Sequence, residues 1–97
     1  MTQHLVFSHG NSFPASTYRL MLDEWRARGW QVHAIEKFGH DPAYPVTDNW
    51  PHLVQQLQDF TQSIAAQHNT QVYLVGHSLG GFLSAMAGVR IPHLVRG

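Results

Sequence analysis

Gln71-Val72-Tyr73-Leu74-Val75-Gly76-His77-Ser78-Leu79-Gly80-Gly81 decides how this chain is read. Its first five residues are a short apolar run of the kind that forms a buried strand. After Gly81, residues 82–89 read as a buried helix. Between the two lies Gly-x-Ser-x-Gly. In a strand-to-helix setting this pattern predicts a reversal so sharp that its central residue is forced into a rare backbone conformation. Side chains two positions before and after would strike neighbouring backbone, so both flanks have to be glycine. Ser78 then projects beyond the carboxyl end of the strand, and the following helix aims its N-terminus at any anion formed there. An acyl-transfer nucleophile belongs at such a place. The plain alternative is that Gly80-Gly81 merely lets a helix pack close to a sheet. The strand before and the helix after favour the nucleophile.

Outward from this turn, three apolar runs alternate with three helical patterns, the sign of βαβ units and a parallel sheet. The first strand is expected over residues 4–8, followed by the loop His9-Gly10-Asn11-Ser12. A helix is expected to start near Pro14, a residue suited to a first turn. Its stripe is Tyr18, Met21, Leu22 and Trp25, and Gly29 ends it. The second strand is expected over residues 31–35. The Pro- and Gly-rich stretch 37–46 reads as a surface loop. Asp48-Asn49 is placed to cap the next helix, with Pro51 in its first turn and Leu53, Leu57, Phe60 and Ile64 on its buried face. An Asn69-Thr70 turn leads back to the third strand. The helix after Ser78 is nearly apolar all round and predicts burial on every side. Residues 91–97 read as the lead-in to a further strand.

Length and composition restrict the function classes. Ninety-seven residues make one domain at most. Six basic and six acidic residues cancel, without a charge block, which argues against a nucleic-acid partner or an anionic membrane surface. The chain has no cysteine, so thiolate catalysis, disulfides and cysteine metal sites are excluded. No apolar stretch is long enough to span a bilayer, and no basic leader precedes the first strand, so the expected compartment is the cytoplasm. There are eight histidines. No pair has the i, i+4 spacing that puts two imidazoles on one helix face, so no metal site is expected, and most of them are expected on the surface or in loops. No cofactor is expected. A phosphate or nucleotide site at Gly76-Gly80-Gly81 is disfavoured, because there is no Gly-x-Gly-x-x-Gly, no lysine at the Walker position and no acidic residue about 20 positions on.

Two motifs together, Gly76-His77-Ser78-Leu79-Gly80 and Ser8-His9-Gly10-Asn11-Ser12-Phe13-Pro14, resemble the α/β-hydrolase superfamily of the small serine esterase, lipase and acyl-transfer type. The resemblance covers essentially the whole chain. It implies a partial doubly wound parallel sheet of order 2-1-3, flanked by three helices. On this reading residues 1–97 are the N-terminal part of one domain that lacks its C-terminal strands. The first and third strands lie side by side and their helices leave toward opposite faces, which makes a topological switch point with a crevice beyond the strand ends. Gly76, His77 and Gly80 form the nucleophile elbow around the catalytic Ser78. The backbone N–H groups of Asn11 and Leu79 form the oxyanion hole. The resemblance puts the base histidine and its acid partner beyond Gly97. His40-Asp41 is the local substitute considered, and adjacent residues fit that geometry poorly. His77 is expected to pack against the sheet, and Ser12 and Ser84 have no motif around them.

The implied function is a serine hydrolase acting on a carboxylic ester or thioester through an acyl-enzyme, with a small-molecule ester or acyl substrate. The competing reading is a catalytically incomplete fragment. Its exposed sheet edge and apolar helix would then serve a second fragment or self-association that completes the sheet.

Overall fold

Strand β1, His4–Ser8, is buried along its whole length. It can be so because it is the middle strand of a three-stranded parallel sheet of order β2-β1-β3, in which β2 is Gln31–Ala34 and β3 is Tyr73–Gly76. A strand covered on both faces and paired on both edges has no solvent side, hence the unbroken apolar run in Leu5-Val6-Phe7. The structure is a computed structural model that describes residues 3–10, 13–38, 40–44, 46 and 50–97.

Alternation along β1 divides the core between the faces. Leu5 and Phe7 join Leu22 and Val32 in a cluster that also takes in Tyr18 and Trp25. This is the face covered by helix α1, Arg19–Ala27. Val6 joins Leu53, Leu57, Ile64, Leu83 and Ala87 on the other face. There lie α2, Pro51–His68, and α3, Leu79–Arg90. The helices after β1 and β3 therefore leave toward opposite faces, as a doubly wound sheet requires.

Several details differ from the sequence-based expectation. The segment after Pro14 opens as a 3-10 turn, Ala15–Tyr18, before α1 begins at Arg19. Ala15 N–H donates to the Glu36 carbonyl at 2.9 Å, and that bond fixes the entry of the chain across the end of β2. Within the α1 stripe Leu22 is buried but Met21 is exposed, since Met21 lies to the side of the contact with the sheet. Strand β2 ends at Ala34. Helix α3 starts directly at Leu79, because Gly80 and Gly81 are helical residues and the reversal is completed at Ser78. Its expected all-round burial is not met within this chain. Leu83 and Ala87 face the sheet and α2, whereas Phe82, Met86 and Val89 are exposed.

Helix α2 buries Leu53, Leu57 and Ile64 as expected and leaves Phe60 half-buried. It closes at Asn69, which takes the left-handed conformation at φ 50° that ends helices without a glycine. The Asp48-Asn49 cap lies outside the described residues. Beyond α3, Val72 N–H donates to the Leu94 carbonyl at 2.8 Å and Arg96 N–H to the Val72 carbonyl at 2.7 Å. Val95 thus pairs with Val72 in parallel on the edge of β3 away from β1. Among the described residues no helix is long and apolar enough to cross a membrane.

Candidate active site

Ser78 has φ 57° and ψ −118°. A side chain in this region crowds its own backbone, at a cost of about 1–3 kcal/mol. The neighbours explain why the strain persists. His77 N–H donates to the Ser8 carbonyl at 3.1 Å, tying the turn to the end of β1, and Gly80 N–H donates back to the His77 carbonyl at 3.0 Å. A Cβ on Gly76 would run into the backbone of Gly80 and Gly81, and one on Gly80 into the backbone of Ser8 and His9. Only glycine at both positions lets α3 start this close to β1. Ser78 occupies the N-cap of α3, yet its hydroxyl makes no capping bond. The backbone conformation turns it away from the helix, and the residue is exposed. As the first helical residue, Leu79 has a backbone N–H without an intrahelical acceptor.

Across from this turn, at the end of β1, His9 is buried. Its Nε2 accepts the Phe38 N–H at 2.8 Å, so the proton resides on Nδ1, which donates to the Gly10 carbonyl at 2.7 Å. One imidazole thereby joins the loop after β1 to the loop after β2. Gly10 N–H donates to the Tyr18 hydroxyl at 3.1 Å, and that hydroxyl is hydrogen-bonded to Nδ1 of His77 at 2.9 Å. A Cβ on Gly10 would press on His77 and Tyr18. The loop, the 3-10 turn before α1 and the turn at Ser78 are joined at one point.

A cleft of about 330 Å³ opens beside Leu79. His9, Phe13, Pro14, Phe38 and Trp50 are among the residues that line it. Phe13 and Trp50 are partly exposed there, and Trp50 meets Phe82 edge-on at 6.0 Å between ring centroids. Lys37 and His40 line the same cleft, so its wall is mixed polar and apolar.

Residues 5–97 match the alpha/beta hydrolase family. The chain belongs to that family. It is also similar to a pyrethroid hydrolase of Sphingobium wenxiniae, at 29% identity over 96 residues. That match covers 96% of this chain and 33% of the relative, so the chain spans about a third of the length of the curated relative it matches.

Within this hydrolase-family frame, the fold brings Gly76, His77, Ser78, Leu79 and Gly80 together with His9 and Gly10 at the carboxyl ends of β1 and β3. Asn11 and Ser12 lie outside the described residues. His77 does not pack against the sheet. It is exposed, because Tyr18 draws its ring over Gly10. His40 borders the cleft, but the Asp41 carboxylate accepts the Ala43 N–H at 3.0 Å and so caps a turn. Ser84 is buried within α3. Sequence reasoning missed Tyr18, whose place in an apolar stripe hid the use of its hydroxyl. It also missed a second histidine group. His4 and His9 are both buried rather than on the surface, and His4 lies beside His33 and His68, which come from distant parts of the chain. A search for local histidine spacing has no means of finding such a group.

Proposed function

We propose that this chain carries the nucleophile part of a serine hydrolase acting on a carboxylic ester or thioester. The observation that carries the reading is the conformation of Ser78, strained, exposed, and free of the capping bond that a serine at a helix start ordinarily makes. A protein keeps such a serine when the hydroxyl is wanted elsewhere. In the proposed reaction Ser78 Oγ attacks the carbonyl carbon while a histidine base takes its proton. The N–H groups of Leu79 and Asn11 hold the resulting oxyanion, and each such donor is worth about 3 kcal/mol in the transition state. Collapse expels the alcohol or thiol, which receives the proton from the histidine. Water then attacks the acyl-enzyme by the same route and restores Ser78. The base and its acid partner are expected beyond Gly97.

The cleft supports an apolar acyl or alcohol group, with Phe13, Phe38 and Trp50 along it. The relative named for hydrolysing pyrethroids agrees with that class of substrate. The test is intact mass of the native protein before and after a fluorophosphonate. One adduct mapping to Ser78 and missing from Ser78→Ala supports the reading. An unmodified Ser78 in protein that is folded and paired with any companion chain refutes it.

A second reading is favoured by one specific observation, the exposed stripe of Phe82, Met86 and Val89 on α3. On that reading the stripe forms an association surface for a second copy of the chain, whereas the sheet edge expected to share in it is partly taken up by residues 94–97. Sedimentation that shows only monomer at high concentration would dispose of it.

A further inference from the structure

At the opposite end of the sheet from Ser78, three imidazoles from three separate elements converge. His4 opens β1, His33 lies in β2, and His68 is the last residue of α2. The register explains how they meet. Val6 is opposite His33, and His4 stands two positions earlier on the same strand, so the histidine side chains leave the same face of the sheet. That is the face on which α2 packs, and α2 has to end near the start of the strands so that the chain can return to β3. Nδ1 of His4 and Nε2 of His33 are 3.0 Å apart, and one ring nitrogen from each of the three histidines lies within 4.8 Å of the others. The His4 and His68 ring centroids are 4.1 Å apart.

We propose that His4, His33 and His68 form a binding site for zinc(II) or a similar divalent transition metal that clamps α2 to β1 and β2. Imidazole nitrogen suits these ions and suits magnesium or calcium poorly. Zinc takes its nitrogens at about 2.0–2.1 Å, which in a tetrahedral shell puts them about 3.3 Å from one another. The His4–His33 pair is already close to that spacing. His68 is exposed at a helix end, so its ring can swing in by the remaining distance and leave a fourth position toward solvent.

The protons balance without an outside acid or base. A neutral imidazole has one nitrogen with a free lone pair, and in the His4–His33 hydrogen bond one of the two facing nitrogens holds a proton. Metal binding at both requires only that this proton move to the far nitrogen of its own ring. Burial, with the charge of neighbouring groups behind it, holds the His4 and His33 imidazoles below their ordinary range, which keeps them in the neutral, ligating form. The Arg26 guanidinium opposes a cation near His33, but its Nη1 is engaged by Asp23 at 3.2 Å and its Nη2 donates to the Val32 carbonyl. The site is far from the proposed nucleophile. The span of β1 alone separates them by roughly 13 Å at about 3.3 Å per residue, so the metal would be structural.

The test is a zinc titration of tag-free, chelator-stripped protein, followed by calorimetry and thermal melting, with cobalt(II) as a spectroscopic probe of nitrogen ligation. The expected result is one equivalent bound, a Tm raised by several degrees, reversal by chelator, and a visible cobalt spectrum of imidazole type. His68→Gln, whose side chain is exposed, is expected to keep the fold and to lose at least about tenfold in zinc affinity. His33→Gln is expected to do the same. The control pair His52→Gln and His93→Gln, exposed histidines outside the group, is expected to leave zinc binding unchanged. Absence of saturable zinc binding by the folded protein overturns the proposal. So does binding that is undiminished in His68→Gln, or abolished in the His52/His93 control.

Discussion

The Tyr18 hydroxyl lies 2.9 Å from Nδ1 of His77, and through it the 3-10 turn that leads into α1 reaches the residue next to Ser78. The same oxygen accepts the Gly10 N–H at 3.1 Å. Because it already accepts from Gly10, its own proton is free to be donated to His77. Tyr18→Phe keeps the ring that packs at a tilt against Phe7, 4.7 Å between centroids, and deletes both hydrogen bonds. Stability is expected to fall by about 1 kcal/mol, read from denaturant melts. The rate of fluorophosphonate labelling at Ser78 is expected to fall several-fold, since the loop carrying Gly10 is no longer tied to the elbow. A Tyr18→Phe protein labelled at the full rate would mean that the elbow holds the loop in place unaided.

Strain at Ser78 has a signature of its own. At φ 57° and ψ −118° a glycine is comfortable and any residue with a Cβ is not. Ser78→Gly is therefore expected to stabilise the protein by about 1 kcal/mol while abolishing labelling. Ser78→Ala abolishes labelling equally but retains the Cβ, so its stability is expected to stay near that of the parent. Equal melting temperatures for the glycine and alanine variants would show that the turn stores no strain.

The two kinds of glycine in and beside the elbow are expected to behave oppositely. A Cβ at position 80 would overlap the Ser8 carbonyl, and backbone on both sides has nowhere to go. Gly80→Ala should cost more than about 3 kcal/mol or prevent folding. Gly88, farther along α3, has only Leu74 Cδ1 nearby, at 3.9 Å. Gly88→Ala should be stabilising by about 0.5–1 kcal/mol through helix propensity alone. Comparative thermal melts of the two variants decide the matter, and a tolerated alanine at 80 would contradict the close approach of α3 to β1.

What sequence alone revealed and what it concealed follow from the range of the interactions involved. The sharp strand-to-helix turn at Ser78 was legible because its constraint is local, glycines two residues either side of Ser78 with a strand before and a helix after. The order β2-β1-β3 came with the resemblance, and the unbroken burial of β1 agrees with it. Tyr18 was misread as mere stripe because helical periodicity reports which face is apolar and says nothing of where a hydroxyl ends up. Met21 failed for a related reason, since a stripe wider than the contact leaves its margin exposed. Phe82, Met86 and Val89 were expected to be covered, and the apolar character of α3 does not itself supply a covering layer. The histidine group was invisible because 29 residues separate His4 from His33, and only the strand register brings them together.

Acid should act where Glu36, next in the chain to the cleft residue Lys37, accepts the Ser16 N–H through Oε1 at 3.1 Å. Hydrogen bonds from Ser16, through its side chain and its backbone, hold the Glu36 carboxyl below the usual glutamate range, and the charge of Lys37 adds to this. A carboxylate whose folded pKa is depressed contributes stability above its unfolded value and loses it as pH falls through the folded value. The contribution is thus intact at neutral pH, begins to fall near the ordinary glutamate value of 4.5, and is lost as pH drops through the depressed folded value. Glu36→Gln keeps an acceptor for the Ser16 N–H but carries no charge at any pH. The variant should therefore melt slightly lower than the parent at neutral pH and converge with it in acid, once Glu36 is protonated. The group is exposed, so the gap should be small and should shrink in high salt. A gap that persists undiminished in acid would mean that the glutamine disturbs the 3-10 turn itself, and that the charge on Glu36 contributes nothing to holding Pro14 and its neighbours beside the cleft.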